Sequence, residues 1–124
     1  MIDVARRRTQ DSASSTFDYL GLGPGMMADQ TNRVTLVLIA RLPTEGIEDF
    51  RAYEDAVLPL LSEFNGRLER RLRNPNGTVE VHIVSFASDA DFQNYRNDPR
   101  RIARAWLLEK SSAKLELLPM MNVP

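Results

Sequence analysis

Thr78 to Phe86, TVEVHIVSF, constrains the fold more than any other stretch of the chain. Side chains alternate along a strand, so Val79, Val81 and Ile83 point one way while Glu80, His82, Val84 and Phe86 share the other. Apolar residues on both faces require cover on both faces. Val34 to Ile39, VTLVLI, is the other run of this kind. The two are expected side by side in mid-sheet, with a helical layer on one face and something else on the other.

Local signals supply the remaining elements. The first strand spans about Arg33 to Arg41, and Thr44 can cap a helix with apolar positions at Ile47, Phe50, Tyr53 or Glu54, Val57, Leu61 and Phe64. Pro59 should kink that helix, and Asn65-Gly66 should stop it with the glycine in the left-handed position. Arg67 to Arg73 has the charge of an edge strand, with Leu68, Arg70 and Leu72 on one face and Glu69, Arg71 and Arg73 on the other. Asn74-Pro75-Asn76-Gly77 is a hairpin turn into the central strand. Ser88 with Asp91 caps a helix carrying Phe92 and Tyr95, Asp98-Pro99 restarts it through Ile102, Ala105 and Trp106, and Lys114 to Leu118 forms a last strand before a short tail.

The order β-α-β-β-α-β predicts an α+β, ferredoxin-like domain: an antiparallel sheet of spatial order 4-1-3-2 with two helices on one face. Its second face has only residues 1–32 or a second copy of the chain to cover it. An uncovered apolar sheet exceeds what a monomer normally exposes, so a homodimer is expected. Residues 1–32, with Arg6-Arg7-Arg8 and Gly21-Leu22-Gly23-Pro24-Gly25, read as an N-terminal tail, flexible or docked on a partner subunit through Phe17, Tyr19, Leu20 and Leu22. A start of translation at Met26 or Met27 is the alternative. The domain proper is expected over 33–119, with 120–124 as a C-terminal tail.

Composition removes much enzyme chemistry. The chain has no cysteine and one histidine, His82, so thiolate sites, a cysteine nucleophile and multi-histidine metal centres are excluded, and no metal or cofactor is expected. A net charge of -1 argues against nucleic acid or an anionic membrane as partner. No apolar run approaches the ~20 residues of a membrane span. The chain is expected in the cytoplasm.

Within these limits His82 and Glu80, two apart on one strand face, form a possible catalytic couple in which the carboxylate orients the imidazole for proton transfer. The same placement suits polar residues satisfied at a dimer interface or a solvated barrel end. Tyr53, Tyr95 and Trp106 can line a substrate pocket or simply pack in the core. Arg41 and Arg70 can bind a carboxylate or phenolate, or form ion pairs at strand ends. The Arg100-Arg101-Arg104 cluster is expected to face solvent.

VTLVLIARLPTEGIEDFRAYEDAVLPLLSEFNGRL, the NPNG turn and VEVHIVSFASDADFQNYRNDPRR resemble, over about Arg33 to Pro119, the small dimeric α/β-barrel proteins related to antibiotic-biosynthesis monooxygenases. The resemblance implies two sheets meeting face to face as a barrel, with a small-molecule pocket between sheet and helices. It implies a cofactor-independent oxygenase or isomerase of a small aromatic or unsaturated molecule. The alternative is a non-catalytic, dimeric ligand-binding or accessory module. Haem-handling members resemble one another in presenting a histidine from a helix, and both helices here lack one.

Overall fold

The computed structural model describes residues 33–124. The tail expected over 1–32 lies outside the described residues. Four strands, β1 (Val34–Arg41), β2 (Gly66–Arg73), β3 (Val79–Phe86) and β4 (Lys114–Met120), form one antiparallel sheet of order β2-β3-β1-β4. The helices are α1 (Ile47–Val57), α2 (Asp89–Arg96) and α3 (Pro99–Ser111). This is the ferredoxin-like α+β arrangement, with the two doubly apolar strands in the centre.

Register divides the sheet into two unlike faces. β1 and β3 pair Leu36 with Val84, Leu38 with His82 and Ala40 with Glu80, and Leu115 and Leu117 of β4 join that row. This face and the helices over it make both core clusters, one around Leu36, Phe86, Phe92 and Tyr95, the other around Ala40, Phe50, Val57 and Leu108. Val37, Ile39, Val81, Ile83 and Leu118 point the opposite way, are only half-buried, and belong to neither cluster.

The caps at Ser88 and Asp98 form as expected: their side chains accept from the backbone N–H groups of Asp91 and Arg100 at 3.1 and 2.8 Å. Other local expectations are corrected. Thr44 does not cap α1. It opens a short 3-10 turn, Thr44–Gly46, and Gly46 precedes the helix without a side-chain cap. Pro59 does not sit inside one kinked helix, because the α-helix ends at Val57 and Leu58–Phe64 continues as tighter 3-10 turns with the proline at their start. The left-handed residue after them is Asn65, φ 54°, not Gly66. Asparagine tolerates that conformation. Gly66 instead starts β2 where a Cβ would come within 2.7 Å of the Phe86 ring.

β2 carries the most consequential difference. A bulge between Leu68 and Arg70 shifts the register with β3, so Arg71 pairs with His82 and Arg73 with Glu80. Leu68 therefore keeps company with Val84 on the helical face, while Arg70 and Leu72 lie opposite Ile83 and Val81 on the other. β4 runs on through Pro119 to Met120. It is an edge strand, where a missing N–H is tolerated.

Candidate active site

The helical face of β3 places Glu80 and His82 deep under α1, each 1% exposed. His82 Nε2 lies 2.8 Å from Glu80 Oε1. Glu80 also accepts from Arg71 Nε at 2.9 Å and from Arg73 Nε at 2.7 Å. Burial pushes the Glu80 carboxyl up, but the hydrogen bonds from Arg71, His82 and Arg73 outweigh it and hold the pKa down at about 2. The carboxylate is thus ionised near neutral pH and there can only accept.

Charge fixes the histidine. Facing a pure acceptor, Nε2 must carry a proton, which makes Glu80 the group that orients the ring. Burial pushes the His82 pKa down, partly offset by Glu80, so the ring is neutral at physiological pH and Nδ1 keeps its lone pair.

That lone pair points towards a residue absent from the sequence-derived couple. Glu54 of α1 brings Oε2 to 3.4 Å from His82 Nδ1, and Glu54 is only 4% exposed. Burial raises its pKa from 4.5 to about 7, against the opposing pull of the Arg101 and Arg71 guanidinium groups. Glu54, His82 and Glu80 form a single buried line, anchored at its outer end by the more exposed Arg71 and Arg73, in which a proton near neutrality can reside on the first carboxylate or on the imidazole.

The line opens on a cavity of about 140 Å³ between sheet and helices. Its walls are mainly apolar, with Leu36, Leu38, Phe50, Val84, Phe86 and Leu117 among them, and Glu54, His82, Tyr53, Tyr95 and Arg101 supply polar atoms. An apolar cavity of about 150 Å³ takes up benzene, so the space suits one aromatic ring. Ile102, 53% exposed, lines the cavity near solvent.

Of the residues singled out from sequence, His82, Glu80, Tyr53 and Tyr95 come together here. The Tyr95 hydroxyl donates to the Val57 carbonyl at 3.1 Å, and its pKa is raised by burial. Trp106 lies outside the cavity and is 58% exposed. Arg41 is exposed and reaches Glu116 of β4 at 3.4 Å, while Arg70 is exposed on the sheet's other face. Arg101, expected in solvent with its neighbours, instead lines the cavity. Glu54 was legible as an anomaly, a carboxylate falling in the apolar stripe of a helix, where burial demands a partner.

Solved structures with the same architecture come from several bacteria. Rv0793 from Mycobacterium tuberculosis superposes with a TM-score of 0.61 at 16% identity, covering 74% of this chain and 96% of that one. SnoaB from Streptomyces nogalater, a cofactor-independent oxygenase, gives 0.62 at 15% identity, covering 75% and 95%. A candidate antibiotic-biosynthesis monooxygenase from Bacteroides thetaiotaomicron gives 0.62 at 12% identity, covering 75% and 91%. The chain shares their fold. No protein-family model matches the sequence, and no curated protein matches it either. Among the described residues no helix is long and apolar enough to cross a membrane, and no cluster of three or more potential ligands could hold a metal ion.

Proposed function

We propose that this protein is a cytoplasmic, homodimeric, cofactor-independent enzyme that moves a proton on a small aromatic or unsaturated molecule, as an oxygenase or an isomerase. The observation that carries the proposal is the buried Glu54–His82–Glu80 line ending on an apolar cavity of ring size. The shared fold with a cofactor-independent oxygenase supports it.

Glu80, held ionised by Arg71 and Arg73, keeps the proton on His82 Nε2. Ionised Glu54, or Nδ1 beside it, then accepts a proton from an acidic C–H or O–H of the bound ring, and the electron pair stays on the substrate. Return of that proton to another carbon is an isomerisation. Attack of the carbanion on dioxygen gives a hydroperoxide, and loss of water from it leaves a carbonyl. The half-buried face bearing Val37, Ile39, Val81 and Ile83 is the surface on which a second sheet would close the barrel.

The test is a screen of small phenols, quinols and unsaturated lactones for binding and for turnover under air. The Glu54→Gln and His82→Ala variants should each lose roughly 10²–10⁴ in turnover, the usual contribution of a positioned acid or base, while keeping the dimer. Binding without turnover of any ligand would establish the alternative, a non-catalytic binding module. Turnover indifferent to both substitutions would remove the line from the mechanism.

A further inference from the structure

α3 carries an apolar strip that nothing among the described residues covers. Ile102 and Trp106, one turn apart, are 53% and 58% exposed, and Ala105 lies between them on the side towards the cavity. Ile102 and Ala105 share the cavity wall with Leu115 and Leu117 of β4, both half-buried. The strip exists because α3 packs chiefly along α1 rather than over the edge strand. Its far end is acidic. Glu109 is exposed just beyond Trp106, and the turn that brings Gly46 against Ser111 leads into exposed Glu45 and Glu48. None of these three enters an ion pair among the described residues, whereas Asp49 beside them pairs with Lys110.

Residues 1–32 have the attachment point, the length and the composition to cover this strip. They join the domain at the start of β1, which lies beside the end of β4, with Thr35 opposite Met120. α3 returns directly into β4, so the start of α3 lies at that same end of the sheet. A segment traced backwards from Arg33 along the strip passes Ile102, then Trp106, then Glu109. Ten residues, 23–32, can span up to about 33 Å, more than the length of β4. Leu22, Leu20, Tyr19 and Phe17 come next in the chain, and Arg8-Arg7-Arg6 follow them. The order in the chain matches the order on the surface: apolar on apolar, then basic on acidic.

We propose that residues 17–22 dock on the strip of Ile102, Ala105 and Trp106 of their own subunit, with Arg6-Arg7-Arg8 against Glu45, Glu48 and Glu109. Docking takes the exposed apolar side chains of both partners out of water, and the tether lets a modest contact area suffice. The docked segment forms the outer wall of the cavity beside Ile102. The inference stands apart from the proton-transfer reading and holds whether or not the cavity is catalytic.

Trp106 is the chain's one tryptophan, so the full chain carries its own probe in the strip. Wild type should emit at shorter wavelength than the full-length Phe17→Ser, Leu20→Ser variant and be quenched by acrylamide about half as readily, because an indole 58% exposed would leave water. Arg6→Ser, Arg7→Ser and Arg8→Ser together, or added salt, should move both readings in the direction of that variant. All these substitutions lie outside 33–124 and should leave far-UV circular dichroism unchanged. Equal quenching of wild type and the double variant would overturn the proposal. Protection of Trp106 that survives the double substitution would overturn it too, since something other than residues 17–22 would then cover the strip.

The absence of cysteine permits a second measurement. Asp18→Cys with Ala103→Cys should form a disulfide within one chain, seen at monomer mass without reductant. It should form faster than in Asp18→Cys with Asp55→Cys, whose second site is exposed on α1. A product mainly at dimer mass would put the segment on the partner subunit and overturn docking on its own. Equal rates for the two pairs would overturn docking altogether.

Discussion

Glu54→Gln should make the protein more stable, and only on the alkaline side. Between pH 4.5 and about 7 the folded chain holds a proton on Glu54 that the unfolded chain has released. Stability from this group is therefore complete below pH 4.5 and declines as the pH rises through the interval. A displacement from 4.5 to about 7 is worth roughly 3 kcal/mol. His82, its pKa pushed down by burial, acts in the opposite sense below its ordinary value of 6.5, so the wild-type profile alone would hide the effect. The difference between wild type and variant isolates it. Urea unfolding at fixed protein concentration should give near-equal midpoints at pH 5, where glutamine replaces a protonated acid. By pH 8 the variant should lead by up to about 3 kcal/mol, or about 1–3 M in midpoint. A gap that stays constant from pH 5 to 8, or a variant less stable at pH 8, would refute the claim that burial holds this carboxyl near neutrality.

Removing both arginines from Glu80 should act at the acid end. The Glu80 contribution is present above pH 4.5 and lost as the pH falls towards 2, so Arg71→Met with Arg73→Met should bring acid unfolding, followed by circular dichroism, to higher pH. Gly46→Ala should cost more than about 2 kcal/mol in chemical denaturation, because the new methyl would run into the Ser111 backbone carbonyl where the turn before α1 meets the end of α3. Ile83→Glu, on the half-buried sheet face, should leave far-UV circular dichroism intact and shift sedimentation to the monomer. An unchanged sedimentation coefficient would count against closure of the barrel through that face.

The parts of the fold legible in sequence are those governed by local chemistry: the doubly apolar strands, the Asn-Gly hairpin, and the caps at Ser88 and Asp98. Strand order followed from them by the rules of chain crossing. The site was half legible. Glu80 and His82 share a face by alternation alone, and no tertiary knowledge is needed to pair them. Glu54 comes from a different element 28 positions away from His82 in the numbering, and only the packing of α1 over β3 brings it to 3.4 Å. Arg101 was hidden because its neighbours Arg100 and Arg104 are indeed exposed, and a charged triplet does not announce which member turns inward. The aromatic residues show the same limit: Trp106 and Tyr95 both lie on the second helical stretch, yet one is exposed and the other buried.

The single extra residue in β2 has a consequence for the heredity of the site. With uninterrupted pairing beyond Leu68, Arg70 would fall beside His82 and Leu72 beside Glu80, and Arg71 and Arg73 would be turned to the sheet's far side. A carboxylate at position 80 would then be buried without a counter-charge, favouring the neutral acid, and could no longer dictate which nitrogen of His82 bears hydrogen. The protonation state of the whole line thus depends on the bulge that leaves Glu69 unpaired in a strand of this length. A descendant chain could replace many apolar residues of the cavity one by one and keep its chemistry, and could even lose Glu69 and keep Arg71 and Arg73 opposite His82 and Glu80, whereas flattening the bulge at constant length would exchange the strand's two sides at a stroke.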